Sequence, residues 1–261
     1  MIRHVIMDMD GVVYRGDAPV PGAIETLEAL RHHGINVAFL TNNASRHRED
    51  LVEKLLGMGL PCRVDQMWSS AYTTARYLCT EAPHAKIFAI GMAGMMREFE
   101  EAGLHIISNY EEATHVVVGL DRAFTYEKLL CAHRAICHGA VFIATNPDVT
   151  FPDSPSTTVP GAGALAAALQ ASTGVAPKVM GKPETMAMAL IADAWGVGPE
   201  AIVAVGDRLD TDIAAAKAFG CVAVLVLTGI ATCSDAETAT GLHKPDVILH
   251  DLTELLPILL R

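Results

Sequence analysis

The stretch Val5-Ile6-Met7-Asp8-Met9-Asp10-Gly11 constrains this chain more than any other. A short apolar run ends in two carboxylates two residues apart, followed by a glycine. Side chains on a strand alternate faces, so residues i and i+2 point the same way. If the backbone stays extended to Asp10, both acids face one small volume at the strand's C-terminal end. Ligands bind at that edge in open α/β sheets. Neighbouring acids repel unless a cation separates them or one stays protonated. A plain polar strand exit has the same pattern, so the pair needs partners elsewhere in the chain before it means chemistry.

The downstream pattern predicts an α/β protein. Ile24, Leu27 and Leu30 mark a helix over 23–33, closed by Gly34. A buried-type strand over 35–40 runs into Thr41-Asn42-Asn43, and a helix over 49–58 follows. Between Gly11 and Gly22 lies a turn-rich stretch suited to a small flap. A helix over 68–79 has Ser69 and Ser70 to cap it. The pattern restarts near Pro83, with strands over 86–91, 115–119 and 141–145 and helices over 95–102 and 126–138. Phe151 to Pro160, rich in Pro, Ser and Thr, is expected to be a loop, before an Ala-rich helix over 161–172. Gly181-Lys182-Pro183 comes next, then a strand over 201–205 ending in Gly206-Asp207-Arg208-Leu209-Asp210-Thr211-Asp212, and final strands over 221–227 and 246–249. This rhythm implies parallel sheets with right-handed crossovers. The expected division is a core from residues 1–83 and 179–261 with an inserted α/β unit over 84–178.

Composition narrows the function classes. With 51% apolar and 19% charged residues in 261, the chain can bury a sizeable core. A net charge of −11 and 5% aromatics argue against nucleic acid, anionic membrane or a base-stacking surface. A small anionic substrate stays compatible, because one metal ion and one lysine reverse the sign locally. The six cysteines show no metal-finger spacing and read as reduced thiols. The N-terminal stretch does not read as a signal peptide, and no apolar run is long enough to span a membrane, so a cytoplasmic location is expected.

Three strand ends thus carry polar groups, Asp8/Asp10, Thr41/Asn42/Asn43 and Asp207/Asp210/Asp212, with Lys182 on a fourth loop. Singly each is ordinary: a cap, a turn, an exposed lysine, acids favoured by a helix N-terminus. Gly161-Ala162-Gly163 lacks the third glycine, the preceding strand and the downstream acid of a dinucleotide loop.

Taken in order, DxDG, TNN, GKP and GDRxxTD around an inserted domain resemble the haloacid dehalogenase-like phosphatases, more narrowly the NagD-like or 4-nitrophenylphosphatase group. Ala144-Thr145-Asn146-Pro147-Asp148 also resembles that group's cap-strand exit. The resemblance implies a doubly wound, Rossmann-like parallel-sheet core with an inserted α/β cap that closes over the site. It implies a Mg²⁺-dependent phosphomonoester hydrolase acting on a small phosphorylated metabolite. Asp8 would be the nucleophile that becomes an aspartyl-phosphate and Asp10 the general acid and base. Mg²⁺ would be held by the Asp8 carboxylate, the Asp10 backbone carbonyl and Asp207. Thr41, Asn42, Asn43 and Lys182 would hold the phosphoryl oxygens, and Asp212 would anchor metal-bound water from one shell further out. A homodimer through the cap is a further implication. Phosphoryl transfer to another acceptor and a non-catalytic phosphoryl-binding module are the alternative readings. Gly11 is expected to let the backbone approach the phosphoryl group.

Overall fold

The computed structural model describes residues 2–154 and 157–260. In chain order, β1 (His4–Met7) leads into a two-stranded flap, β2 (Tyr14–Arg15) and β3 (Ala18–Pro19), then α1 (Ala23–His32), β4 (Asn36–Thr41), α2 (Arg48–Gly57), β5 (Met67–Ser69) and α3 (Ser70–Glu81). Next come β6 (Lys86–Ile90), α4 (Ala93–Glu101), β7 (His105–Ile106), β8 (His115–Val118), α5 (Tyr126–Cys137), β9 (Val141–Ala144), β10 (Thr150–Ser154), β11 (Thr157–Pro160), α6 (Ala162–Thr173) and β12 (Lys178–Val179). The chain ends with α7 (Met186–Trp195), β13 (Ile202–Gly206), α8 (Ala214–Phe219), β14 (Val222–Val226), α9 (Cys233–Thr238), β15 (Val247–Leu249) and α10 (Leu255–Leu259).

Contacts divide the chain into two compact units, one of residues 1–41, 49–68 and 182–261, the other of 42–48 and 69–181. These bounds differ from the expected 83/84 and 178/179. Helix α3 groups with the inserted unit because it packs on α4. The segment 42–48 does so because Glu98 of α4, 1% exposed, holds it. Its carboxylate accepts from the Arg48 backbone N–H at 2.9 Å and from Arg48 Nε at 3.0 and 3.1 Å, and His47 Nε2 lies 3.5 Å away.

The first unit carries a six-stranded sheet in the order β15-β14-β13-β1-β4-β5. The pairs β15/β14, β14/β13, β13/β1 and β1/β4 are parallel. From β1 the chain builds outward through β4 and β5, then returns to build the other way through β13, β14 and β15. The order therefore reverses at β1/β13, and the crevice beyond the C-terminal ends there is where such sheets take ligands. Val5, Met7, Phe39, Val203, Val205, Val224 and Val226 fill the core around these strands. Strands buried on both faces read as continuous apolar runs, as these do.

The second unit has a five-stranded parallel sheet in the order β12-β9-β8-β6-β7. Ile90, Val116, Val118, Phe142 and Ala144 from its strands pack on Ala132, Ile136, Ala166 and Leu169 from α5 and α6. The loop expected over Phe151–Pro160 is instead an antiparallel ribbon, with Thr150 opposite Pro160 and Phe151 opposite Val159. Residues 155 and 156 of that loop lie outside the described ones. Prolines suggested a loop, but a free two-stranded ribbon tolerates them, having ladder positions that need no N–H. Gly161 is the N-cap of α6, and Gly163 lies in its first turn. A Cβ on Gly163 would strike the Pro147 carbonyl, which accounts for this glycine without a nucleotide. Ser69 caps α3 as expected, its Oγ accepting from the Tyr72 N–H at 3.1 Å. Trp68, placed in that helix by the sequence pattern, belongs to β5. Among the described residues no helix is long and apolar enough to cross a membrane.

Candidate active site

Asp8 follows the last residue of β1, and its own N–H continues the ladder by donating to the Val205 carbonyl of β13 at 2.9 Å. Asp207 follows β13 directly. Adjacent parallel strands thus deliver the two acids to one edge, as the strand-end reading anticipates. A five-residue π turn over Leu209–Ile213 then brings Asp212 back to the same place. Ligand oxygens from Asp8, Asp207 and Asp212 lie within 4.8 Å of one another. Such single wide turns occur often at functional sites.

Lys182 enters this cluster from the loop before α7 and is only 4% exposed. Its Nζ donates to Asp8 Oδ1 at 2.5 Å and to the Leu40 carbonyl at 3.1 Å, and stands 2.6 Å from Asp212 Oδ1. The Asp212 contact is an ion pair, and that oxygen is buried. Its Oδ2 accepts from the Arg208 N–H at 3.1 Å. Asp207 Oδ2 accepts from the Ile230 N–H at 2.8 Å.

Two glycines make room for Asp207. A Cβ on Gly11 or on Gly229 would collide with its carboxylate, and Gly11 also sits at φ +80°, where other residues are strained. Gly11 therefore answers first to Asp207 and to its own backbone. Gly206 similarly leaves space for the side chain of Asp212. Thr228 Oγ1, from the loop after β14, donates to the Gly11 carbonyl at 2.6 Å.

The electrostatics are those of an acid cluster short of positive charge. Loss of solvation pushes the Asp8 carboxyl up to about 8 against the pull of Lys182, with Asp212 and Asp207 adding to the rise. Asp207 is raised to about 6, first by desolvation and then by Asp212. Burial works to lower the Lys182 ammonium, but Asp212 and Asp8 outweigh it and hold it above its ordinary value. Three carboxylates facing one ammonium leave two negative charges uncompensated when all are ionised. The three converging carboxylates, the glycine-lined space around Asp207 and the all-oxygen donor set fit a small hard dication.

Asp10 stands apart from this carboxylate cluster. β1 ends at Met7, and Met9 turns into the core while Asp10 is exposed and bridges to Tyr14 at the flap. Its carboxyl is raised by loss of solvation from the atoms around it, with Lys54 and the Gly11 N–H pulling the other way. Lys54 lies 4.2 Å from the centre of the Tyr14 ring. Asp210 pairs outward with Arg208 at 2.8 Å and takes no part in the cluster.

Thr41 is the last residue of β4, one past the carbonyl that Lys182 holds. Asn42 and Asn43 group with the second unit. Asn43 Oδ1 accepts from both the N–H and the Oγ of Ser45, at 2.8 and 2.7 Å, so this side chain shapes its own turn. Asn42 is held by Ser70, Asn146 and Asp148, residues the motif reading did not assign to the site. Asn146 and Asp148 follow the end of β9, in the stretch that resembles the family's cap-strand exit.

Residues 5–105 match the profile of the haloacid dehalogenase-like hydrolases, and residues 179–255 match a second, HAD-hydrolase-like profile. The acid sugar phosphatase of Staphylococcus aureus is 36% identical over 252 residues, spanning 97% of this chain and 96% of that protein. The chain belongs to the haloacid dehalogenase-like hydrolases. Within them it is a NagD-like phosphatase. The solved 4-nitrophenylphosphatase of Thermotoga maritima superposes with a TM-score of 0.91 at 38% identity, covering 98% of this chain and 97% of the other. NagD from E. coli K-12 gives 0.89 at 30% identity over 97% and 98%. A glycerol phosphate phosphatase of Mycobacterium tuberculosis, solved with magnesium, gives 0.89 at 33% identity over 97% of this chain and 76% of that one. These dehalogenase-like relatives share the parallel-sheet core in which the acid cluster was found.

Proposed function

We propose that this hydrolase is a Mg²⁺-dependent phosphomonoesterase that works through an aspartyl-phosphate on Asp8. The observation that carries the reading is the set of buried Asp207, Asp212 and Lys182 with half-buried Asp8 at the β1/β13 switch point. Asp8, Asp207 and Asp212 are the side chains that would hold the ion, together with the Asp10 carbonyl. Bound there, Mg²⁺ would keep Asp8 ionised and neutralise charge on the phosphoryl oxygens.

The chain's own groups supply the remaining steps. An Asp8 oxygen attacks phosphorus in line, and the bond from phosphorus to the ester oxygen breaks. Asp10 gives its proton to the departing alkoxide, then takes one from the water that attacks the phosphorus of the aspartyl-phosphate. That second displacement returns Asp8 as a carboxylate and releases inorganic phosphate. A carboxyl raised by desolvation and set off from the cluster suits the proton-carrying role. Lys182 fixes Asp8 Oδ1 and brings positive charge against the phosphoryl group, while Thr41 and Asn42 hold its oxygens.

The substrate class proposed is a small sugar or polyol phosphate, in keeping with the acid sugar and glycerol phosphate relatives. Release of nitrophenol from 4-nitrophenyl phosphate, with Mg²⁺ and then with EDTA, tests the reading, and a panel of sugar, glycerol, glycolate, pyridoxal and nucleoside phosphates ranks substrates. Metal-dependent turnover is expected. Folded protein that hydrolyses none of these with Mg²⁺ would overturn it.

A further inference from the structure

Asn42 is gripped at both of its polar ends. Its backbone carbonyl accepts two hydrogen bonds, from Ser70 Oγ at 2.6 Å and from Asn146 Nδ2 at 2.7 Å. Its side-chain Nδ2 donates to Asp148 Oδ1 at 3.3 Å. Asn146 in turn accepts the Asp148 N–H on Oδ1 at 3.1 Å. These contacts fix the amide orientations, because a carboxylate and a carbonyl need the NH₂ end and an N–H needs the oxygen. Asn146 is 5% exposed and Ser70 1% exposed, so the bonds are shielded from water. Gly181 presses on the same amide, since a Cβ there would run into Asn42 Oδ1 and the Asn146 side chain. At its far end the segment is tied by Glu98 to Arg48 and His47.

We propose that Asn146, with Ser70 and Asp148, is a positioning residue for phosphoryl binding, setting the direction in which Asn42 presents itself to substrate. The proposal rests on the reading above, in which Asn42 holds phosphoryl oxygens. Satisfying both lone pairs of the Asn42 carbonyl fixes that peptide plane, and Asp148 fixes the amide beyond it. The side chains involved come from the start of α3 and from the exit of β9. Asn42 and all three of these partners belong to the second unit.

Asn146→Asp tests the idea with almost no change in shape. Above its titration, the new carboxylate turns an acceptor toward the Asn42 carbonyl where a donor stood. Below it, the protonated carboxyl donates to that carbonyl and restores the bond. Burial beside a carbonyl raises a carboxyl's titration above its solution value. The probe is inorganic phosphate as a competitive inhibitor of 4-nitrophenyl phosphate hydrolysis by the full chain, with the variant-to-parent ratio of Ki taken at pH 8 and near pH 5. The expected ratio is about tenfold at pH 8, the usual cost of an unmade buried hydrogen bond, and close to one near pH 5. KM follows Ki while kcat changes less, as for an interaction that binds ground and transition states alike. A defect of stability alone would lower the active fraction without moving Ki.

Ser70→Ala removes only one of the two donors and is a mild change to a buried site, so it covers the case in which Asn146→Asp does not fold. A rise in Ki of about threefold is expected from a single modest hydrogen bond, with no dependence on pH. If both variants bind phosphate within experimental error of the parent, or if the Asn146→Asp ratio is the same at both pH values, the positioning role is wrong and the phosphatase reading stands. If the parent itself neither binds phosphate nor hydrolyses the ester, the reading fails and takes this inference with it.

Discussion

Replacing Lys182 by Met keeps the apolar stem and deletes the only cation that the described contacts place among Asp8 and Asp212. Breaking a buried pair by removing one partner costs about 3–5 kcal/mol, because a charge is left uncompensated. The variant has one escape, which is to protonate a carboxylate. That escape costs about 1.4 kcal/mol per pH unit above the unfolded carboxylate value near 3.9, hence about 1.5 kcal/mol at pH 5. The loss should therefore be large at pH 8 and small at pH 5. The sign agrees with linkage: a carboxylate raised in the folded state contributes stability at low pH that is lost as pH rises toward its folded value. With about 2–4 °C per kcal/mol for a chain of this size, the variant in EDTA should melt about 10 °C below the parent at pH 8 and about 4 °C below it at pH 5. Saturating Mg²⁺ should recover much of the difference, since a dication takes over the missing compensation. The assay is thermal unfolding of parent and variant in EDTA and in Mg²⁺ at both pH values. Equal depression at both pH values, or none at pH 8, would refute the charge argument.

Further expectations follow from the same geometry. Metal-free parent should lose stability as pH rises from about 4 to 8, since Asp207 titrates at about 6 and Asp8 at about 8 instead of in the ordinary carboxylate range; melting curves in EDTA across that range check it. Over the same window Mg²⁺ should bind more weakly as pH falls, with protons released on binding, which calorimetry in buffers of different ionisation enthalpy measures directly. Asp10→Asn should cost about 10²–10⁴ in kcat on an alkyl phosphate and far less in the first half-reaction of 4-nitrophenyl phosphate, whose leaving group needs no proton; comparing the two substrates checks it. Gly229→Ala should drive a methyl group into the Asp207 carboxylate and raise the Mg²⁺ concentration for half-maximal activity by at least about tenfold, roughly the worth of one displaced ligand or its support; a metal titration of activity reads it out.

Much of this was legible in the sequence where chemistry coincides with strand ends. Asp8 and Asp207 each follow an apolar run, and parallel neighbours necessarily deliver such residues to one edge. The sequence places Asp212 one shell out without deciding whether it reaches a metal, and the π turn over Leu209–Ile213 brings its carboxylate within 4.8 Å of the other two. No periodicity distinguishes that turn from an ordinary helix start. The unit boundary was hidden for another reason. Residues 42–48 and α3 read as one continuous β/α pattern with the core, and tertiary contacts such as those of Glu98 with Arg48, of Asn146 with Asn42 and of α3 with α4 group them with the inserted unit. Ser70 reads as a helix cap and Asn146 as part of a strand exit, and their bonds to the Asn42 carbonyl are not legible because a hydrogen bond to a backbone carbonyl leaves no motif. The ribbon over Thr150–Pro160 escaped because its prolines outweighed the β-branched run Thr157-Thr158-Val159.

Asp8 as the nucleophile requires two successive in-line displacements at phosphorus. Hydrolysis of a phosphorothioate ester made chiral with oxygen isotopes, in isotopically labelled water, reads the number of displacements without any need to trap the intermediate. Retention of configuration is predicted. Inversion would mean that water attacks the substrate directly, and would contradict an aspartyl-phosphate on Asp8.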